Sequence, residues 1–189
     1  MKAKIGLGRN LNVHYKLYDA SGAPKKFFRA NALGNFIRNK TGYDLQIPLV
    51  LGSYGVEMNR SNLITNAGAA AVAGLIGGVG SVAIFDNIGI GTGATGAVAG
   101  NTALATEVNL GGSTTTNHLT ATVTRVTTDV TNDTTQLVRT FNMTGTAAIV
   151  ESGVFNAEAG GTMLARQTFS AINVISGDSI AITWKIDVD

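Results

Sequence analysis

The chain has 189 residues, 44% of them hydrophobic and 14% charged, with a net charge of +2 and no cysteine. That size suits one domain, or one domain with an arm, and the apolar fraction excludes wholesale disorder. The lack of cysteine excludes disulfides, thiolate metal sites and thiol catalysis, while the sparse charge suits a protein packed against neighbours, with an ordinary secreted β-protein as the alternative.

The N-terminus, residues 1–9, is basic but lacks the apolar run of a secretory signal. Residues 11–19 alternate apolar and polar side chains and predict a strand. Ser21-Gly-Ala-Pro24 turns the chain. The spacing of Phe28, Ala32 and Phe36, with Leu33 and Ile37 beside them, predicts a helix over 24–40 that stops at Gly42. Residues 44–51 read as an irregular extended piece or edge strand, because Pro48 cannot donate to a ladder.

Residues 67–85 carry no charge. Their length invites a membrane span, but Gly77, Gly78 and Gly80 break such a helix. A short Ala-rich helix, a glycine turn and a strand over 82–90 explain the segment better. Residues 113–146 hold fourteen threonines, whose branched Cβ suits a pleated sheet. Leu119, Ala121 and Val123 alternate with threonines, and Leu137, Arg139, Phe141 and Met143 form a second alternating run. A hairpin-like break at 131–134 separates the two. Further strands are expected at 147–150, 163–169 and 180–188. In the last of these, Ile180, Ile182, Trp184, Ile186 and Val188 share one face. Closely spaced short strands predict a mainly β protein: an antiparallel β-sandwich, jelly-roll-like, following an extended, partly helical basic region.

Charge divides the chain in the same way. Residues 1–60 hold ten Lys and Arg against three Asp and Glu; residues 61–189 hold four against nine. The expectation is a docking region over 1–60 and a β-sandwich domain over 61–189. Lys25, Lys26, Phe27, Phe28 and Arg29 combine charge with apolar anchorage and are the candidate partner-binding residues. They are the one basic-aromatic cluster in the chain, too little for a nucleic-acid interface. A competing reading has the helix simply packing on the sandwich.

Gly91-Thr-Gly93-Ala-Thr-Gly96 follows an apolar run and matches the dinucleotide fingerprint. Gly100 and Asn101 interrupt the helix that a pyrophosphate needs, and no acid follows at the ribose-binding distance. The segment reads as a glycine loop, and no cofactor is expected. His14 and His118, the two histidines, have no metal-site spacing. Glu151 and Glu158 resemble a glycosidase acid pair in spacing, but the setting of Glu151 favours a structural hydrogen-bonding role. No catalytic, cofactor or metal residue is assigned, and the chain is read as a non-enzyme.

Several motifs together resemble a known family. They are Ser61-Asn-Leu-Ile-Thr-Asn-Ala-Gly68, Gly89-Ile-Gly-Thr-Gly93 with Thr102-Ala-Leu-Ala-Thr-Glu107, Ile149-Val-Glu-Ser-Gly-Val-Phe-Asn-Ala157, and Gly160-Gly-Thr-Met-Leu-Ala-Arg166, followed by Phe169, Gly177-Asp178-Ser and the Trp184 strand. The series looks like tailed-bacteriophage virion structural proteins and covers residues 60–189. The resemblance implies a place on the particle. The short chain lacks fibre repeats or heptads, so a capsid decoration (cement) protein on the outer head surface is expected. It would bind the major capsid protein as a homotrimer. A tail-fibre or baseplate component is the alternative, and a carbohydrate-binding β-sandwich a further one. Neither nucleic acid nor membrane is an expected partner.

Overall fold

A computed structural model describes residues 12–41, 45–110 and 117–188. In chain order its elements are β1 (Asn12–Tyr18), β2 (Phe27–Ala30), α1 (Ala32–Thr41), β3 (Gly52–Gly55), β4 (Glu57–Ser61), β5 (Leu63–Ile64) and α2 (Asn66–Gly77). There follow β6 (Asn87–Gly91), β7 (His118–Thr120), β8 (Thr122–Val126), β9 (Thr134–Asn142), β10 (Ala147–Phe155), β11 (Met163–Val174) and β12 (Ser179–Asp187). The fold is mainly β and antiparallel, as the alternation predicts. One five-stranded sheet has the order β4-β1-β12-β9-β8, a second has β5-β11-β10-β6-β7, and β2 with β3 forms a two-stranded ribbon.

The C-terminal alternation lies at the middle of the first sheet. Ile180, Ile182 and Trp184 are fully buried, and β1 supplies Val13, Tyr15 and Leu17 from the neighbouring strand. These side chains share one apolar core with Ile88, Ile90, Ile149, Val154, Phe169 and Ile172 of the second sheet. The two sheets therefore face each other in a sandwich-like arrangement. Both long edges are bridged by strands that bend from one sheet into the other. Asn62 separates β4 from β5, and Ala121 separates β7 from β8. A sheet edge offers unpaired backbone groups to any passing strand, and these corners shorten both edges.

In the first sheet β1 and β12 show one-sided burial, whereas β10 and β11 of the second are buried almost throughout. The outer face of the second sheet is covered. α2 sits so close that a Cβ on Gly68 would collide with the Leu164 backbone. Its start is fixed by Thr65, whose hydroxyl accepts from the Gly68 amide, and its end by Gly78 at φ +62°. The ribbon is fastened by the Ala30 amide, which donates to Ser170 Oγ at 2.9 Å.

Three expectations need correction. Residues 24–40 do not form one helix. Phe27 and Phe28 lie on a strand and point into two different clusters, the main core and a small one with Ala30 and Leu51. The helix begins only after Asn31, whose Oδ1 accepts from the Gly34 amide and caps it. The strand over 82–90 is shorter, starting at Asn87. Residues 1–60 do not form a separable docking region, because β1 lies between β12 and β4 and fills the core. The basic residues Lys2, Lys4 and Arg9 lie outside the described residues, as do Gly42 and Asp44.

A fragment of residues 61–189 is thus expected not to fold, since it lacks β1, β2, β3 and nearly all of β4, and with them the fully buried Val13, Tyr15, Leu17 and Phe28. Circular dichroism and thermal melting of the fragment check this. A cooperative transition like that of the full chain would contradict the topology.

Candidate functional site

A densely polar centre inside the fold lies on the outer face of β10 and β11. Alternation puts it there. Ser152 points inward, where its hydroxyl accepts from Trp184 Nε1 at 2.9 Å, so Glu151 and Gly153 point outward. A shift in the pairing of β10 with β11 between Ile149 and Glu151 marks the same spot.

The Glu151 carboxylate is fully buried. Its Oε1 accepts from the amides of Gly93 at 3.0 Å and Thr106 at 2.8 Å. Its Oε2 accepts from the Ala105 amide at 3.0 Å and from Arg166 Nε and Nη2 at 2.9 and 2.7 Å. Arg166 donates further to Gly96 O, Asn101 Oδ1 and Thr95 O. A guanidinium has five N–H donors, and the five bonds of Arg166 leave none for a substrate. Two oppositely charged groups out of water are tolerable when paired and hydrogen-bonded in this way. The arrangement ties the 92–106 segment to the sheet and offers neither a proton nor a free lone pair.

The same geometry explains the glycine loop. The anion that receives the Gly93 amide is the protein's own carboxylate, not a phosphate. A Cβ on Gly93 would come within 2.6 Å of Glu151 Oε1 and 2.5 Å of Ala105 Cβ, while one on Gly96 would meet nothing within 4 Å. Gly93→Ala is therefore expected to cost about 1–3 kcal/mol by overpacking. Gly96→Ala should stay within about 0.5 kcal/mol. Thermal denaturation of both variants checks the pair, and equal costs would contradict the close approach.

His118 belongs to the structural layer as well. Its ring stacks on Phe155 with centroids 3.6 Å apart and an interplanar angle of 12°. Nδ1 lies 2.8 Å from Ala157 O, and Nε2 lies 3.0 Å from Glu107 Oε1. His14 sits on β1, with Nε2 3.3 Å from Glu57 Oε2. Hydrogen bonding to that ring and the nearby Lys16 charge hold the Glu57 carboxyl below its usual range. Glu158 accepts from Thr120 Oγ1, so the two candidate acids Glu151 and Glu158 serve different partners. Among the described residues, no cluster of three or more His, Asp or Glu could hold a metal.

The cluster at 25–29 does not present itself as a unit. Phe27 and Phe28 are buried at home and cannot anchor a partner. Lys25 Nζ lies 2.5 Å from the buried Asp178 carboxylate, and Arg29 donates to Ser53 Oγ. Lys26 remains exposed. The exposed apolar surface lies elsewhere. Leu33 and Phe36 project from α1, and Leu49 is 97% exposed at a loop position with φ +65°. Ile76, Val79 and Ile84 add a second group at and beyond the end of α2. The unbroken apolar run at 49–51 was the signal for Leu49. The competing reading, in which the helix packs on the sandwich, would have buried Phe36, and that side chain is exposed.

No helix among the described residues is long and apolar enough to cross a membrane. The chain matches no protein-family model, no curated protein and no solved structure.

Proposed function

We propose that the chain is a non-enzymatic structural protein of a tailed-bacteriophage particle. Its role is that of a capsid decoration protein, which stabilises the head by binding the major capsid protein on its outer surface. The observation that carries this reading is where the polar and apolar groups sit. The buried charged centre, Glu151 with Arg166, is spent on the protein's own loop. Large apolar side chains such as Leu49 and Phe36 stand in solvent. Exposed apolar groups on a weakly charged surface suit a subunit completed by its neighbours. A homotrimer would let each copy cover the next.

The finer architecture belongs to the same proposal. Passage of the chain between sheets at Asn62, Ala121, the β9–β10 connection and the β11–β12 connection supports a closed sandwich. The β8–β9 and β10–β11 hairpins, each inside one sheet, depart from a strict jelly roll.

Protein composition of purified particles, separated into head and tail fractions, tests the function. The chain is expected in the head fraction. Recovery in the tail fraction alone would move the role to a tail-fibre or baseplate part. Absence from both would overturn the proposal.

A further inference from the structure

We propose that His118 is a proton-gated clasp. As an imidazolium it fastens two neighbouring segments to β7, and loss of its proton loosens both. The ring is buried, and each of its nitrogens meets an acceptor. Nδ1 lies 2.8 Å from Ala157 O, in the turn between β10 and β11, and Nε2 lies 3.0 Å from Glu107 Oε1. A carbonyl and a carboxylate only accept, and a neutral imidazole carries one N–H. Whichever nitrogen held that hydrogen, the other would aim a lone pair at an oxygen. The imidazolium, with two N–H groups, satisfies both contacts. Phe155 favours the same form, because its ring stacks 3.6 Å from that of His118 and an aromatic face attracts a cation.

The surroundings make Glu107 the deciding partner. Its Oε2 accepts from Asn117 Nδ2 at 2.9 Å, so both carboxylate oxygens act as acceptors. The other charged groups nearby are engaged elsewhere. Glu158 of the turn accepts from Thr120 Oγ1, and Arg139 of β9 donates to Thr120 O. Asp86 accepts from Asn87 Nδ2, and Glu151 of β10 is held by Arg166. β6, which passes beside the ring at Gly89, carries no titratable residue, and neither do residues 111–116. Glu107 belongs to a segment joined to β6 by the amides of Thr92 and Val108, which donate to Thr106 O and Ile90 O. The clasp thus ties this segment and the β10–β11 turn to β7. A contact that needs a proton is complete at low pH and is lost as the proton leaves on raising the pH. The clasp stands apart from the virion reading, and a capsid protein with or without it remains a capsid protein.

Nitrogen-15 NMR and amide hydrogen exchange on the full chain, between about pH 5.5 and about pH 8.5, test the proposal. The His118 ring is expected to carry two N–H groups at the lower pH and one at the higher. Protection of the Thr92 and Val108 amides, relative to an unfolded chain at the same pH, should fall about tenfold or more over that range. Glu107→Gln is the decisive variant. Its new amide donates to Nε2 while its oxygen still accepts from Asn117, so a neutral His118 satisfies every contact. This variant should keep its protection at both ends of the range. A ring with one N–H at the lower pH, or with two at the higher, would overturn the proposal. So would unchanged protection in the unaltered chain, or a loss with pH that persists in Glu107→Gln. Should that variant fail to fold, ring protonation and amide protection in the unaltered chain decide alone.

Discussion

Trp184→Ala is expected to destabilise the protein by about 3–5 kcal/mol, the range for emptying a buried tryptophan site. Three observations point to the high cost. The indole is fully buried between the sheets. It packs in the core shared by β1, β9 and β12. Its Nε1 donates to Ser152 Oγ, which would lose that partner in the interior. The neighbouring residue is the control. Thr183 points to the other face of the same strand and is only half-buried. Thr183→Ala should therefore cost well under about 1 kcal/mol. Chemical denaturation of both variants gives the contrast, and equal small losses would contradict the placement of β12.

The second large effect is expected at the buried ion pair. Arg166→Met should cost about 3–5 kcal/mol, because it strands the Glu151 charge in the interior. Glu151→Gln should cost a similar amount. Its amide nitrogen would face N–H donors on whichever side it turned, since both carboxylate oxygens accept from backbone amides. Replacing both members with apolar residues often restores stability where a buried pair serves only itself. Here it should not. The amides of Gly93, Ala105 and Thr106 and the carbonyls of Thr95 and Gly96 would all lose partners. The double variant is thus expected to stay destabilised. Amide hydrogen exchange should show Gly93, Ala105 and Thr106 losing protection before the strands do. A double variant as stable as the unaltered protein would show that the pair does not hold this loop.

Much of the β framework was legible because alternation reports burial on one face. β1, β9 and β12 lie in the sheet with one covered face, and their pattern is clean in the sequence. β10 and β11 run further than the sequence suggests, to Phe155 and Val174. Both faces of these strands are covered, so the alternation that would mark their ends is lost. The stretch at 24–40 misled for a different reason. Phe28, Ala32 and Phe36 fit a helical period, but the ribbon buries Phe28 beside Leu51 while Phe36 stands in solvent. Tertiary contact with β11 overrode local spacing, and the Asn31 cap that separates strand from helix is a single residue in the sequence.

At the candidate centre, the structural setting of Glu151 was readable, but its partner was not. Arg166 is fifteen residues away, and only the β10–β11 pairing brings the two together. The glycine loop was likewise readable as unsuited to a dinucleotide. That it closes on Glu151 depends on a contact across 58 residues of chain. The aromatic anchors assigned to partner binding were lost to the interior, because two adjacent phenylalanines on a strand can serve two cores at once.

The placement of the chain in the particle tests the central claim most directly. A density map of the purified phage, with this fold fitted into it, should find copies in clusters on the outer surface of the head lattice. In those copies the exposed apolar residues Leu49 and Phe36 should be covered by neighbouring subunits. A map that accounts for every head and tail density without this fold would contradict the claim.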